Sequence, residues 1–447
     1  MDRSSGESRL AGGADSADRP AELVSRCREL EGAAVEALLE DDTETRVQWA
    51  APDGLAIVGR GVAARIRADG PDRFDRIRTR ASRLFDGIAH DGPPQARPRA
   101  FGGFSFHDGH EPDPPWTGFP AASFVVPRVQ VSRTDNGTWL TTVGSGDEAA
   151  DRLERWHELL TASTTEPNAS GSTPGVRSTT RTTSREQWAR QVETALERIA
   201  DGQLTKVVLA QALSVDLEGS VDVPATLERL GRRYPNCYRF LVGHGDSGTF
   251  FGAPPERLVS KRGERVETEA LAGSVARGDT PDEDEAYAER MRADAKLGHE
   301  HGLVVDAIRE QLAPLARELT VSERTIRKLA TIQHLQTPIE ARLPGDRHVL
   351  EIVEALHPTP AVGGVPPDAA WKTIRETETF DRGWYAAPVG WFDAAGDGEF
   401  AVGIRSGVAA DGAVTLFAGN GIVADSDPDE EWDEVQLKFR PILDELR

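Results

Sequence analysis

Lysine is scarce in this chain, where 6 lysines stand against 46 arginines among 447 residues. Cysteine is scarcer, because Cys27 and Cys237 are the only two and neither has another cysteine at metal-ligand spacing. These counts exclude a disulfide framework and a cysteine-held zinc site, and they imply a reducing interior. No segment reaches about 18 consecutive apolar residues, and residues 1–20 contain no apolar signal core. We therefore predict neither a membrane span nor export by a standard signal.

Positive charge is also in deficit, since 74 acidic residues against 52 basic ones give a net charge of −22. The surplus is spread along the chain, and a field of that sign repels phosphate backbones and anionic lipids. Nucleic acid and membrane partners are therefore not expected. Abundant arginine and acidic residues with few lysines are typical of a salt-adapted protein, in which salt screens the self-repulsion. We expect a halophilic, cytoplasmic protein that loses structure in low salt.

Two polar segments divide the chain. Residues 1–18 lack any periodicity and predict a disordered tail, and the Ser/Thr/Gly-rich residues 161–184 predict a linker or loop. Residues 19–160 are rich in strand-like runs, whereas residues 185–447 mix strands with helices and carry the candidate chemistry. Because no regular βαβ rhythm is visible, we predict an α+β fold. Large antiparallel sheets would form a sandwich-like core with helices outside, and both halves would belong to one structural domain.

Three helices in the second half are indicated by local signals. Ser184 is a candidate N-cap for a helix with an apolar stripe that includes Trp188, and Gly202 is placed to end it. Two longer helices are predicted at about residues 282–311 and 428–446.

Lys206 is the clearest indication of chemistry, because it lies among aliphatic residues in the strand-like run 203–211. Side chains alternate in a strand, so Lys206 shares a face with Val208 and Ala210. Loss of hydration there favours the neutral amine, which can accept a proton. The alternative is that the amine extends from the strand end into solvent, as most lysines do.

Carboxylates on two predicted helices form a second candidate site. Glu300 lies mid-helix beside an apolar face, while Glu431, Glu434 and Lys438 share one face of the last helix. Carboxylates from separate helices suit Mg²⁺, which takes few protein ligands and completes its shell with water and substrate oxygens. From these residues alone, a solvated ion-pair stripe is the other interpretation.

Two further segments contain candidate residues. The run 418–422, Ala-Gly-Asn-Gly-Ile, predicts a glycine turn that points backbone N–H groups at an anion. Glu256 follows two prolines that fix the backbone, and Gly273 ends an apolar run as a tight turn would. An ordinary polar hairpin is the alternative for the segment that contains both residues.

Several motifs of the chain, in the same order, are similar to those of the chorismate-utilising enzymes. This family includes isochorismate, salicylate, anthranilate and aminodeoxychorismate synthases. The resemblance is dense over residues 185–445, and the motifs that carry it are KVVLAQ, FFGAPPERL, TEALAGS, IQHLQTPIEARL, LHPTPAVGG, FDRGWYAAPVGW, FAVGIRS and AGNGIVADSDPDEEWDEVQLK. It implies the fold of that family, chorismate as the substrate and Mg²⁺ as the cofactor.

The resemblance also implies a role for each candidate residue. Lys206 matches the lysine that activates water for attack at C2 of chorismate, and Glu256 matches the acid that protonates the departing C4 hydroxyl. Glu300 and Glu434 match Mg²⁺ ligands, with Glu431 as a further contributor. The remaining matches would bind the substrate. Its carboxylates match Arg405, Lys438 and the backbone of Gly273, Gly419, Asn420 and Gly421, and Ser274 is a further substrate-binding residue. Its ring and enolpyruvyl group match His334, Thr359 and Tyr385.

Fewer residues indicate the subgroup. Lys206 and the HPTPAVGG motif resemble isochorismate synthases, which implies menaquinone biosynthesis as the pathway and a monomer with no glutaminase partner. Salicylate synthase, which also eliminates pyruvate, is the nearest alternative. Anthranilate synthases generally lack this lysine, and both they and aminodeoxychorismate synthases fit less well because they would need ammonia or a glutaminase partner. A silent chorismate-binding protein would need neither the base nor the acid. Gln211 and the stretch 296–300 depart from the family pattern.

Overall fold

The structure, a computed structural model, describes residues 23–31, 35–40, 44–162, 173–328 and 332–447. The strands of the first half are β1 (Leu23–Leu30), β2 (Thr45–Ala50), β3 (Ala56–Arg60), β4 (Ala64–Ala68), β5 (Ile88–His90), β6 (Arg99–Phe104), β7 (Ala122–Val126), β8 (Val129–Thr134) and β9 (Gly137–Gly144). Those of the second half are β10 (Val176–Arg181), β11 (Lys206–Leu217), β12 (Arg239–His244), β13 (Thr249–Gly252), β14 (Arg257–Arg262), β15 (Arg265–Ala276), β16 (Glu318–Val321), β17 (Thr325–Lys328), β18 (Ile332–Arg342), β19 (Gly364–Val365), β20 (Pro388–Asp393), β21 (Gly398–Val402), β22 (Ser406–Ala410) and β23 (Ala413–Ile422).

The helices within the described residues lie mainly in the second half. They are α1 (Arg73–Asp86), α2 (Gly146–Ala162), α3 (Arg185–Ala200), α4 (Val223–Arg233), α5 (Pro281–Ala293), α6 (Ala295–Leu312), α7 (Val349–Leu356), α8 (Pro367–Thr377) and α9 (Pro428–Leu446). No described helix combines the length and the apolar character needed to cross a membrane.

The strands form two large sheets that both combine the two halves of the sequence. The first sheet has 13 strands in the order β10-β11-β23-β22-β13-β12-β2-β3-β8-β9-β1-β5, with β19 beside β11. The second has 10 strands in the order β16-β18-β15-β14-β21-β20-β6-β7-β4, with β17 beside β18. The long central pairs β11–β23 and β15–β18 are antiparallel, whereas β1 and β5 run parallel. The predicted α+β class with large antiparallel sheets is confirmed.

A continuous apolar core fills the space between the sheets. It includes Trp49 and Phe124 from the first half and Leu209 and Phe250 from the second, each 1% exposed or less. Burying a side chain of this size contributes about 1.5–3 kcal/mol relative to leaving it in water. Helices α3 and α9 pack beside the first sheet and α6 packs beside the second, as expected for helices placed outside a sandwich-like core.

The prediction of a linker or loop at residues 161–184 is wrong where the structure describes this region. Helix α2 continues through Ala162, and β10 pairs with β11 at the edge of the first sheet. The Ser, Thr and Arg side chains of β10 are exposed, so its composition is that of a polar loop although its backbone is paired. Residues 163–172 and the predicted tail at 1–18 lie outside the described residues.

The single helix predicted at 282–311 is two helices, because Asp294 interrupts it. The backbone of Asp294 is extended, and its side chain accepts a hydrogen bond from the Leu297 amide at 3.0 Å, which makes it the N-cap of α6. The other two predictions are confirmed. Ser184 caps α3 with a capping box, and α9 spans the predicted 428–446.

Candidate active site

One cavity of ≈ 280 Å³ lies where β11, β15 and β23 meet helices α6 and α9. Most of the residues singled out in the sequence line it, namely Lys206, Glu256, Gly273, Glu300, His334, Tyr385, Arg405, Gly419, Gly421, Glu431, Glu434 and Lys438. Thr359 and Asn420 are buried beside it without lining it. The side chain of Ser274 lies outside the described part of the structure.

Lys206 is the first residue of β11 and is only 3% exposed. Its Nζ donates a hydrogen bond to Glu300 Oε1 at 2.8 Å, so the amine is held inside the cavity. Val208 lines the same cavity, as strand alternation predicts. These positions exclude the alternative in which the lysine extends from the strand end into bulk solvent.

The opposite strand leaves room for this lysine because it carries glycine. Gly421 pairs with Val208 across β11 and β23, and a Cβ at 421 would lie 2.7 Å from Lys206 Cε. A Cβ at Gly419 would lie 2.7 Å from the Leu209 carbonyl oxygen and 3.2 Å from Tyr385 Oη. The glycine turn predicted at 418–422 is therefore wrong. These residues belong to β23, and the glycines permit close approach rather than a change of chain direction.

Glu256 lies in the short connection between β13 and β14 and is 5% exposed. Burial, reinforced by the nearby Glu269, raises the pKa of Glu256 from its ordinary value of 4.5 to about 8, although Lys206 and Arg327 act in the opposite direction. The side chain is therefore a neutral carboxyl group at pH 7 and can donate a proton. Strands β14 and β15 do form a hairpin, but Glu256, which directly precedes it, is buried and lines the cavity, so the segment is more than an ordinary polar hairpin.

Arg405 and Lys438 supply positive charge for anionic groups in the cavity. Burial lowers the pKa of Arg405, but a guanidinium stays charged in proteins. Lys438 Nζ donates to the Gly419 carbonyl oxygen at 3.0 Å, which shows that the polar groups of Gly419 face away from β11. Because backbone orientation repeats every second residue, the N–H groups of Gly419 and Gly421 face that side too.

Asn420 supports the cavity from behind. It is 2% exposed, and its Oδ1 accepts a hydrogen bond from Lys438 while its Nδ2 donates to Glu431 Oε2 at 2.9 Å. Asn420 therefore orients a cation and a carboxylate of the cavity instead of contacting a ligand directly, because its side chain points to the other face of β23.

Besides Glu256, three glutamates line the cavity, and the carboxylate of each has a protein partner. Glu300 bonds Lys206, Glu434 pairs with Lys438 at 3.0 Å, and Glu431 accepts a hydrogen bond from Ser426 at 2.7 Å. Among the described residues, no group of three His, Cys, Asp or Glu side chains is already arranged to hold a metal ion. The donor chemistry nevertheless fits Mg²⁺, which needs only one or two carboxylates besides water and substrate oxygens.

The remaining predicted residues are His334, Tyr385 and Thr359, and all three are buried. Burial lowers the pKa of His334 to about 3, so its imidazole is neutral, and burial raises the pKa of the Tyr385 phenol. Tyr385 stacks on Phe417 with ring centroids 5.4 Å apart. The Thr359 backbone carbonyl accepts hydrogen bonds from Val362 and Gly363, so Thr359 shapes the loop whose Val362 faces the cavity.

Comparison with known proteins identifies the family. Residues 12–447 match the model of the family described as chorismate binding enzyme. The chain belongs to this family.

Individual relatives cover nearly the whole chain. The protein of Pseudomonas aeruginosa named salicylate biosynthesis isochorismate synthase is 36% identical over 413 residues, which cover 91% of this chain and 86% of that protein. Isochorismate synthase MenF of Bacillus subtilis is 33% identical over 90% of this chain and 88% of its own length. The solved structure of MenF, the menaquinone-specific isochorismate synthase from Escherichia coli, has a TM-score of 0.80 at 27% identity and covers 97% of both chains.

Family membership accounts for the ordered motifs, but two polar residues near the site were not among the predicted site residues. Lys296 lines the cavity and pairs with Asp425 at 2.7 Å, and Ser426 contacts Glu431. The scarcity of lysine was the available signal for Lys296, since three of the six lysines line this cavity. No comparable signal pointed to Ser426.

Proposed function

We propose that this chain is an isochorismate synthase, which interconverts chorismate and isochorismate by adding water at C2 and expelling the C4 hydroxyl. The observation that supports it most directly is one cavity lined by both the amine of Lys206 and the protonated carboxyl group of Glu256. A displacement that exchanges one hydroxyl for another needs one group to take a proton and one to give it.

In the proposed reaction, Lys206 takes a proton from the attacking water and Glu256 gives one to the departing hydroxyl, which leaves as water. Atoms and charge therefore balance without a redox cofactor. Arg405, Lys438 and the backbone N–H groups of Gly273, Gly419 and Gly421 would hold the two carboxylates of the substrate, which need positive charge in a protein of net charge −22. His334, Tyr385 and the Thr359 loop would surround the ring.

Mg²⁺ is the proposed cofactor, and Glu300 and Glu434 would hold it with Glu431 beside them. When bound, it would neutralise the ring carboxylate and stabilise the negative charge that develops as the hydroxyl leaves. The support is the chemistry of the three carboxylates that line one cavity. We further propose that the product enters menaquinone biosynthesis and that the protein acts in the cytoplasm as a monomer without a glutaminase.

Product identification tests this function. The protein is incubated with chorismate with and without Mg²⁺, and the products are separated by chromatography. Isochorismate should form from chorismate when Mg²⁺ is present. When isochorismate is supplied as the only substrate, the enzyme with Mg²⁺ should convert it back to chorismate. Salicylate with pyruvate would instead establish the nearest alternative, and the absence of any turnover of chorismate would overturn the proposal.

A further inference from the structure

The backbone that follows the buried acid is held partly by side chains. Strands β14 and β15 pair regularly from Arg262 and Arg265 to Ser260 and Glu267, where the backbone ladder stops. Beyond that point, side chains of β15 bond the opposite backbone, as Thr268 Oγ1 donates to the Leu258 carbonyl at 2.7 Å.

Glu269 makes the second of these bonds, because its Oε1 accepts a hydrogen bond from the Arg257 amide at 3.4 Å. That amide belongs to the peptide bond that follows Glu256. The carbonyl of the same peptide accepts a hydrogen bond from the Val402 amide at 3.2 Å. Both polar groups of the peptide attached to the acid are thus held, one by backbone and the other by the Glu269 carboxylate.

The Glu269 carboxylate is itself fixed by a cation. Arg327 Nη1 donates to Glu269 Oε1 at 2.8 Å, the two side chains are 17% and 10% exposed, and Arg327 Nη2 donates to the Asn236 carbonyl at 2.8 Å. Charges buried to this degree are weakly screened by solvent and act strongly on a neighbouring group.

Both members of this pair act on the acid, with opposite sign. Glu269 disfavours ionisation of Glu256, while Arg327 and Lys206 favour it. The other charged groups that line the cavity with Glu256 are Lys296, Glu300, Arg405, Glu431, Glu434 and Lys438.

We propose that Glu269 and Arg327 are positioning residues for Glu256. Glu269 fixes the peptide that carries the acid, and the pair sets the charge balance in which the carboxyl group keeps its proton. The effect on turnover rests on the proposed function, whereas the protonation of Glu256 is a property of the protein alone.

The test compares Glu269→Gln with Arg327→Gln. Removing the negative charge should lower the pH at which Glu256 ionises, and removing the positive charge should raise it, each by about one pH unit. The double variant should lie between the two. Infrared difference spectra against Glu256→Gln follow the protonated carboxyl group directly, and the alkaline limb of chorismate turnover should move in the same direction in each variant.

Two controls separate this role from a purely structural one. Glu267 lies on the same strand as Glu269, but its carboxylate accepts a hydrogen bond from the Arg257 side chain. Glu267→Gln should therefore leave the pH at which Glu256 ionises unchanged. Arg327→Lys keeps the charge and should also preserve it, with circular dichroism confirming the fold of every variant. Shifts of Glu269→Gln and Arg327→Gln in the same direction, or no shift in either, would overturn the proposal. If chorismate is not turned over at all, the infrared titration still decides the matter.

Discussion

Gly421 of β23 lies against the side chain of Lys206 of β11, and the space between them has no room for a Cβ atom at position 421. A Cβ at 421 would lie 2.7 Å from Lys206 Cε, 3.3 Å from its Nζ and 3.6 Å from Glu300 Oε1. The absence of a side chain on one strand thus creates the space in which the lysine of the other strand meets a carboxylate of α6. The position of the candidate base depends on this glycine.

Gly421→Ala should therefore displace Lys206 and lower kcat by about 100-fold, since a displacement near 1 Å at a reacting group has that effect. KM for chorismate should change much less, because Arg405 and Lys438 remain. Steady-state kinetics measure both constants. Gly146→Ala is the matched control, as a Cβ there meets nothing within 4 Å. A Gly421→Ala enzyme with the original kcat would contradict this explanation of the glycine.

Lys206→Ala should lower kcat by about 10²–10⁴-fold, the range typical for loss of a general base. Chorismate binding, followed by calorimetry, should be largely retained, because the carboxylate contacts are made by other residues. Lys372→Ala is the control, because that side chain is 71% exposed on α8. Equal losses in both variants, or a loss of binding alone, would remove Lys206 from the role of base.

The rate should depend on pH through Glu256. Its pKa of about 8 means that the proton donor is present at neutral pH and is lost as the pH rises through 8. The profile of kcat/KM against pH should therefore fall on the alkaline side with an apparent pKa near 8. A rate that keeps rising beyond pH 9 would rule out Glu256 as the acid.

The raised pKa of Glu256 should also make the free energy of unfolding depend on pH, and this effect does not require catalysis. The folded protein keeps the Glu256 proton up to about pH 8, whereas an unfolded chain releases it near 4.5, so unfolding releases this proton between those values. The contribution of the group is therefore complete below pH 4.5 and is lost as the pH rises to 8, by about 1.4 kcal/mol for each unit of pKa difference. The free energy of unfolding should be measured with urea at pH 5 and at pH 8.5. Between these two values the wild type should lose stability relative to Glu256→Gln, because glutamine does not ionise. A constant difference would contradict the raised pKa.

Salt should stabilise the fold, because the net charge of −22 repels itself and ions screen it over about 10 Å at 0.1 M salt. The thermal midpoint should rise as KCl is increased from low to molar concentration. Sucrose at matched osmolality controls for general exclusion of solute from the protein surface. A midpoint independent of KCl would remove the prediction of a salt-adapted protein.

Sequence signals predicted correctly those features of the fold that depend on residues close together in the sequence. Ser184 starts α3 because its hydroxyl and Gln187 form a capping box within four residues of sequence, and strand alternation placed Lys206 on the face of Val208. The predictions that were wrong concern features that the pattern of neighbouring residues does not determine. Asp294 caps α6 inside an apolar pattern that otherwise continues, and the glycines of 418–422 are needed by a strand two hundred residues earlier.

The same limit applies to the support around the acid. Glu269 and Arg327 are 58 positions apart, on strands that meet only through β18, so no spacing rule relates them. The family resemblance identified the residues that would contact the substrate. It did not identify Glu269 and Arg327, which support one of those residues, Glu256.

Lysine is concentrated at one place in this chain. Arginine outnumbers lysine by 46 to 6 in the whole chain, yet three of the six lysines line one cavity. A guanidinium does not release its proton in proteins, whereas an amine can. We therefore expect Lys206→Arg to abolish turnover, because the proposed base must accept a proton. An amine-selective reagent would consequently label this protein at few places, and chorismate should shield a large part of them.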